Sequence, residues 1–438
     1  MAKKNRKPAG REDKRRTSSG QGHSLQHKEE LIQRRKRRKR HKIAVIVIEI
    51  IIVVILLAGL FLWQKLNQIN RTKIDDKSVG INEDLDTGKV SGYTNFAIFG
   101  LDNRSNGDLD SGLSDVIMVC SINNDTGEIR ILSVYRDTYL ATGDISSDAS
   151  YEKANYAFST GGAKKALSML NKNLDLNLTD YVTVDFYAVT EAIDDVGGIE
   201  LNITSDEMDY INGYIDSVSE VTGKKSNYIT QTGEQLCDGV QATAYCRIRY
   251  TSGGDFTRAQ RQRTVLSQLF KKVKSSDAST LNSLIDDMLP NIETSFSNKE
   301  ILSLATNAMK YKLADTAGFP FKLTTETIGS KGSVDVPCTL ESNVEEMYSW
   351  LFGEDDYEPS STVKKISDYI ERTTGDTEED AVDYGISADN LSEESSIDSS
   401  TDSSNSTDST DSASSSTEGS GSTSSTGGSA GSGGSAGI

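Results

Sequence analysis

Residues 43–63 read IAVIVIEIIIVVILLAGLFLW, an unbroken apolar run in which Glu49 is the one charge. At about 1.5 Å per residue, an α-helix of this length crosses a hydrocarbon core of about 30 Å. The pattern predicts one transmembrane helix. It is too long for the core of a cleaved signal peptide, and no clear small-residue cleavage site follows it. Glu49 is costly in hydrocarbon when ionised. A protonated or water-reaching carboxyl accounts for it, as does a contact with another membrane protein. Trp63 suits an interfacial anchor.

Residues 64–93 are polar and charged and read as a stalk. Beyond them the period of apolar positions changes. TNFAIFGL (94–101), VIMVCSI (116–122), IRILSVY (129–135) and YVTVDF (181–186) predict strands. Two more are expected at about 321–328 and 333–340. Helical spacing appears over 163–173 and, more strongly, over 261–274, where Val265, Leu266, Leu269, Phe270 and Val273 share one face. Ile301, Leu302, Ala305 and Met309 repeat it over 297–310, and a helix at about 343–352 closes the domain. The mixture predicts an α/β class, a layered α-β-α domain over 94–355 around a central mixed sheet. Residues 356–438 turn acidic and then rich in Ser, Thr, Asp and Gly, ending GSAGSGGSAGI. Such composition cannot bury a core and predicts a disordered tail.

Charge adds direction. Residues 1–42 carry 17 Lys and Arg against 4 Asp and Glu, while residues 64–438 carry 30 against 60. The run RRKRRKRHK at 34–42 abuts the apolar span. By the positive-inside bias the basic segment 1–42 is cytoplasmic and everything from residue 64 lies outside. The chain is therefore expected in the cell membrane as a single-pass, type II protein. The basic run reads as a topogenic signal that also touches anionic lipid, and no nucleic-acid partner is expected.

All three histidines, His23, His27 and His41, precede the span. Outside the membrane no Ser-His-Asp triad, Cys-His pair or His-ligated metal can exist. Cys120, Cys237, Cys246 and Cys338 match no zinc or CxxC spacing. Cys120 reads as a core residue; Cys237 and Cys246 admit a disulfide without requiring one.

Arginine is scarce after the span, and five of the ten present fall within RIRYTSGGDFTRAQRQR, residues 247–263. In so acidic a region this concentration points to anion binding, because a guanidinium fork matches phosphate oxygens. Arg247 and Arg249, two apart, project to one side if their segment is extended. Arg261 and Arg263 fit a solvated helix face. FAIFGLDNR puts Asp102 just past one strand, and SGLSDVIMV puts Asp115 at the start of the next. Two carboxylates at one sheet edge, facing arginines, suggest Mg²⁺ with pyrophosphate; each could also be a turn or cap residue. Arg136 follows the strand IRILSVY, again at a strand end, with Asp137 beside it.

GLDNR with its following SD, LSVYRDTY, KANYAFSTGG, YVTVDF, DVGGIELNI and CRIRYTSGGDFTRAQRQ occur in that order over about 94–270. Together they resemble the LytR-CpsA-Psr family. The resemblance implies an Mg²⁺-dependent phosphotransferase of a Gram-positive-type envelope. Its donor would be an undecaprenyl-pyrophosphate-linked glycan and its acceptor peptidoglycan, as in teichoic acid or capsule attachment. It also implies roles: Asp102 and Asp115 on the metal, Arg136 at the catalytic centre, and Lys153, Arg247, Arg249, Arg258 and Gln262 on the pyrophosphate, with Arg104 assisting. Two positions depart from the family pattern. Leu113 stands where members often have arginine, and Tyr135 where they usually have proline. Rival readings are a membrane-bound transcriptional attenuator and a lipid-pyrophosphate hydrolase or binding protein.

Overall fold

The structure is a computed structural model that describes residues 60–61, 64–101, 109 and 112–384. The basic segment, nearly all of the apolar span, the tail from residue 385, and Asp102 and Arg104 lie outside the described residues. Among the described residues no helix is long and apolar enough to cross a membrane.

Strands β1 (Asn70–Arg71), β2 (Tyr93–Leu101), β3 (Ser114–Asn123), β4 (Glu128–Val134), β5 (Tyr139–Ala141) and β6 (Tyr151–Lys153) lead into helix α1 (Asn155–Leu174). Then follow β7 (Asp180–Asp185), α2 (Phe186–Asp195), β8 (Ile199–Ile203), α3 (Ser205–Thr222), β9 (Gly233–Cys237), α4 (Gly239–Tyr245) and α5 (Gly254–Ser275). The remainder comprises α6 (Ala278–Met288), β10 (Ile292–Thr294), α7 (Asn298–Asn307), β11 (Lys312–Phe319), β12 (Leu323–Thr327), β13 (Ser333–Pro337), α8 (Leu340–Phe352) and α9 (Ser361–Thr374).

The central sheet is mixed, in the order β1-β10-β7-β2-β3-β4-β11. Strand alternation explains its two apolar faces. Ala97, Phe99, Leu101, Ile117 and Val119 share a core with Ala166, Leu167 and Leu170 of α1 and Val344, Met347 and Tyr348 of α8. Met118, Cys120, Ile129 and Ile131 pack on the other side with Leu266 and Phe270 of α5. The expected helix–sheet–helix layering is present. A satellite lobe of α2, β8, α3, β9 and α4 has its own core around Ile199, Ile211, Ile215 and Val240.

Two boundaries differ from expectation. The segment read as a stalk packs into the domain: Val79 and Val90 are buried in the main core, and Asn171 Nδ2 donates to the Val79 carbonyl at 2.9 Å. The domain also continues past 355. Val363, Ile366 and Ile370 of α9 are buried in the same core, a helical stripe that the surrounding acids and serines obscured. Asp175 fastens both ends. Its carboxylate accepts from Asn82 Nδ2, the Tyr357 hydroxyl at 3.0 Å and the Ser360 amide at 2.6 Å. All four cysteines are free thiols.

Register sets the site. Leu101 pairs with Ser114 and with Asp185, and Val134 pairs with Phe319. Strands β2, β4, β7 and β11 end, and β3 begins, at one edge of the sheet.

Candidate active site

Asp115 is the second residue of β3, and Arg136 lies two residues past β4. Arg136 Nη1 donates to Asp115 Oδ1 at 2.8 Å, and its Nε donates to Asp255 Oδ2 at 2.7 Å. Asp137 lies 3.4 Å from the same Nε. Arg249 Nη2 reaches Asp115 Oδ2 at 2.7 Å. Arg258 donates to Asp255 at 3.0 Å and stands 3.9 Å from Asp115. Lys153, at the end of β6, pairs with Asp137 at 3.0 Å. Four cations and three carboxylates thus interleave at the strand ends.

Burial works to raise the Asp115 carboxyl, but Arg258, Arg136 and Arg249 outweigh it and hold it below the usual carboxylate value. Burial opposes the charge on Arg136, yet Asp255, Asp115 and Asp137 raise it above an ordinary guanidinium. In Arg258 burial wins with help from Arg136 and Arg249, and the group is lowered despite Asp255 and Asp115. That balance fits a site built for more negative charge than the protein itself supplies.

A cavity of about 330 Å³ opens from this cluster. Asp115, Arg247, Arg249, Arg258 and Gln262 line its polar end; Ile98, Met118, Val189, Val265, Leu266 and Leu269 line the rest. Helix α5 runs along it, so one helix face passes from guanidinium to aliphatic within three turns. An anion attached to a long hydrocarbon matches this gradient.

The expected residues come together in part. Arg136, Asp115, Arg249 and Arg258 touch directly or through Asp255, and Lys153 joins through Asp137. Arg247 and Gln262 line the cavity. Arg247 and Arg249, however, do not project from an extended segment. They follow α4 in a turn whose middle residue, Ile248, is fully buried. Arg247 turns away to Ser217 Oγ at 3.0 Å and lies over the Phe186 ring. Its Phe186 and Tyr214 contacts brace the cavity wall.

Arg261 and Arg263 do not form a solvated face; they are 3% and 1% exposed. Arg261 Nε donates to Glu207 of α3 at 2.7 Å, Nη1 to the Ile248 carbonyl at 3.0 Å, and Nη2 to Thr251 Oγ1. It clamps the loop that carries Arg249 from beneath.

Asp255 and Asp335 escaped the sequence reading. Asp255 had a signal, since it stands in the first turn of α5 three residues before Arg258 and so on its face. Asp335 had none: the β12–β13 hairpin brings it in, and its amide donates to the Asp137 carbonyl at 2.9 Å.

The two departures have local consequences. Leu113 is 48% exposed at the site edge. Tyr135 is buried edge-on against Phe256, centroids 4.8 Å apart. Its hydroxyl occupies the space above Gly318, where a Cβ would meet it at 1.9 Å. Tyrosine here therefore requires glycine on the neighbouring strand.

Asp335 is 6% exposed and its Oδ2 has no hydrogen-bond partner. Burial, then Asp137 and Asp255, raise it to about 7, against Lys153 and Arg136. A folded-state value above the unfolded one means that the folded chain binds the extra proton between about pH 4 and 7. Stability from this group is full below that window and falls as pH rises through it. Asp335→Asn is expected to flatten that slope and to gain about 2–4 kcal/mol relative to wild type at pH 8 over pH 4. Urea unfolding at both pH values checks this; parallel profiles would sink it.

Residues 58–332 match the LytR_cpsA_psr family. A teichoic acid transferase, TagU of Enterococcus faecalis, is 28% identical over 210 residues, 48% of this chain and 63% of the relative. Its full description is polyisoprenyl-teichoic acid–peptidoglycan teichoic acid transferase, shared by TagV of Bacillus subtilis. TagV is 31% identical over 196 residues, 44% of this chain and 47% of TagV. Biofilm regulatory protein A of Streptococcus mutans is 28% identical over 208 residues, 45% and 49% of the two chains. The chain thus spans between about half and just under two thirds of these curated relatives. A crystal structure described as a transcriptional regulator from Enterococcus faecalis shares the fold. It aligns with TM-score 0.51 at 21% identity, over 66% of this chain and 98% of that one. With more than half its length matched, and the motif residues gathered at one sheet edge, the chain belongs to the LytR-CpsA-Psr family.

Proposed function

We propose that the chain is a membrane-anchored transferase that moves a glycan from a polyprenyl-pyrophosphate donor to peptidoglycan, leaving a phosphodiester link. The observation that carries this reading is the arginine cluster on Asp115 at the mouth of an apolar cavity. The names of the relatives support it. The prenyl chain lies along α5, and the pyrophosphate meets Arg249, Arg258 and Arg136, with Lys153 and Arg104 as further cations. An acceptor hydroxyl attacks the phosphorus bonded to the donor sugar. The bond from that phosphorus to the bridging oxygen breaks, and polyprenyl phosphate leaves. The chain's own part is positioning and charge neutralisation, which dominate phosphoryl transfer.

Mg²⁺ belongs to this reading, held by Asp115 and Asp102 with phosphate oxygens. Such an ion takes one or two carboxylates. Asp115 fits, its carboxyl being held low by the arginines, and each oxygen accepts one arginine hydrogen bond and keeps further acceptor capacity. When bound, the ion would supply further neutralisation of phosphoryl charge. Asp115, stabilised as a carboxylate, is a poor proton acceptor; an Asp102 oxygen not engaged by the ion would serve as the base. The anchor is the span 43–63, with residues 1–42 in the cytoplasm and the site outside.

Incubating purified full-length protein with lipid-pyrophosphate glycan and peptidoglycan should give covalent glycan–phosphate–peptidoglycan by mass spectrometry. Release of free phosphorylated glycan alone would make the chain a hydrolase and end the proposal. The names "biofilm regulatory protein" and "transcriptional regulator" favour a rival. Deleting residues 1–33 while keeping 34–42 should spare the enzyme and silence a regulator acting through that segment.

A further inference from the structure

Tyr250 follows Arg249 directly and lines the cavity mouth, yet it is 73% exposed. Tyr210, on α3, is 37% exposed, and the two ring centroids lie 5.9 Å apart at 42°. Tyr214, one turn further along α3, lines the same cavity. A bulky aromatic left in water contributes little to the core. The loop that presents it is nonetheless fixed. Ile248 is fully buried, and Arg261 holds the Ile248 carbonyl and the Thr251 hydroxyl on either side of Arg249 and Tyr250. One clamp thus sets a phosphate-binding guanidinium and an outward ring at adjacent positions.

We propose that Tyr250, with Tyr210 beside it, is a stacking platform for the pyranose ring bonded to the donor pyrophosphate. The inference rests on the donor reading above. Three chemically distinct parts of such a donor then meet three surfaces in order. The prenyl chain has the aliphatic wall of Ile98, Met118, Leu266 and Leu269, and the pyrophosphate has Arg249 and Arg258. The next group outward is a sugar, whose C–H face suits an exposed aromatic ring. Tyr250 and Tyr210 would act on binding of the sugar-bearing donor, not on the phosphate or lipid.

The test is calorimetric titration of the full chain in detergent with two donor ligands, a short prenyl pyrophosphate and the same molecule carrying one N-acetylhexosamine, and separately with a pyrophosphate-free peptidoglycan fragment. Tyr250→Ala should weaken the glycosylated ligand roughly five- to tenfold and leave the bare pyrophosphate unchanged. Tyr250→Phe should bind both like wild type, and Tyr210→Ala should show a smaller loss of the same pattern. Equal weakening of both ligands, or of neither, overturns the platform while leaving the phosphate site standing. Weakening only of a pyrophosphate-free peptidoglycan fragment assigns the rings to the acceptor and also overturns it. Wild-type protein that binds neither ligand removes the donor reading and this proposal together.

Discussion

Arg136→Ala is expected to lower kcat for glycan transfer by at least about 10³-fold, the scale on which an arginine supports phosphoryl transfer. Its guanidinium joins Asp115 to Asp255 and also faces Asp137, so it fixes geometry as well as charge. Arg136→Lys should separate the two roles. An ammonium keeps the positive charge but lacks the planar fork needed to span two carboxylates. Donor KM should then change little, while kcat falls by about 10²-fold. Steady-state kinetics on variants with wild-type thermal melts read both values. Full turnover in Arg136→Ala would remove the catalytic centre from this edge of the sheet.

Arg261→Leu should produce the largest loss of stability, about 3–5 kcal/mol, the range for removing one partner of a buried ion pair. Glu207 is 5% exposed and would lose its counter-ion, keeping neutral contacts alone: the Tyr245 hydroxyl and the Thr204 amide, which donates to Oε2 at 2.9 Å. A fall in Tm of roughly 10 °C follows for a domain of this size. Adding Glu207→Gln removes the stranded charge and keeps the cap, so the double variant should regain much of the melting temperature. It should not regain transfer activity, because the loop bearing Arg249 still lacks its clamp. Recovery of both together would mean that Arg261 serves stability alone.

The strands at 94–101, 116–122 and 129–135 were legible as short apolar runs, most of them rich in β-branched residues, bounded by polar turns. The structure extends each by a residue or two, or trims it by one. Helix α5 was expected from 261 and begins at Gly254. Its first two turns give Asp255 and Arg258 to the ionic cluster and bury Phe256 and Ala259 as their only apolar side chains, so the denser apolar stripe that betrays a helix starts at Val265. The same context hid Arg261, whose partner Glu207 lies 54 residues away in sequence. A charged side chain reads as solvated until its distant counter-ion is known. Arg136, Arg249 and Arg258 were legible because arginine is scarce after the apolar span, and Asp115 because it opens an apolar strand. Asp335 and α9 were not, since long-range packing alone gives them meaning.

The arginines already hold anions before any ligand arrives. Arg136, Arg249 and Arg258 would each first have to give up, or share, an aspartate oxygen at hydrogen-bond distance in order to bind a phosphate. Ligand capture is therefore an exchange of counter-ions, and a singly charged competitor such as chloride or acetate offers no net advantage over the incumbent carboxylate. Only a ligand with several negative charges close together can displace more than one aspartate at a time. On the proposed donor reading, the interleaving of acid and base would set a valence threshold that favours a pyrophosphate over simple electrolytes.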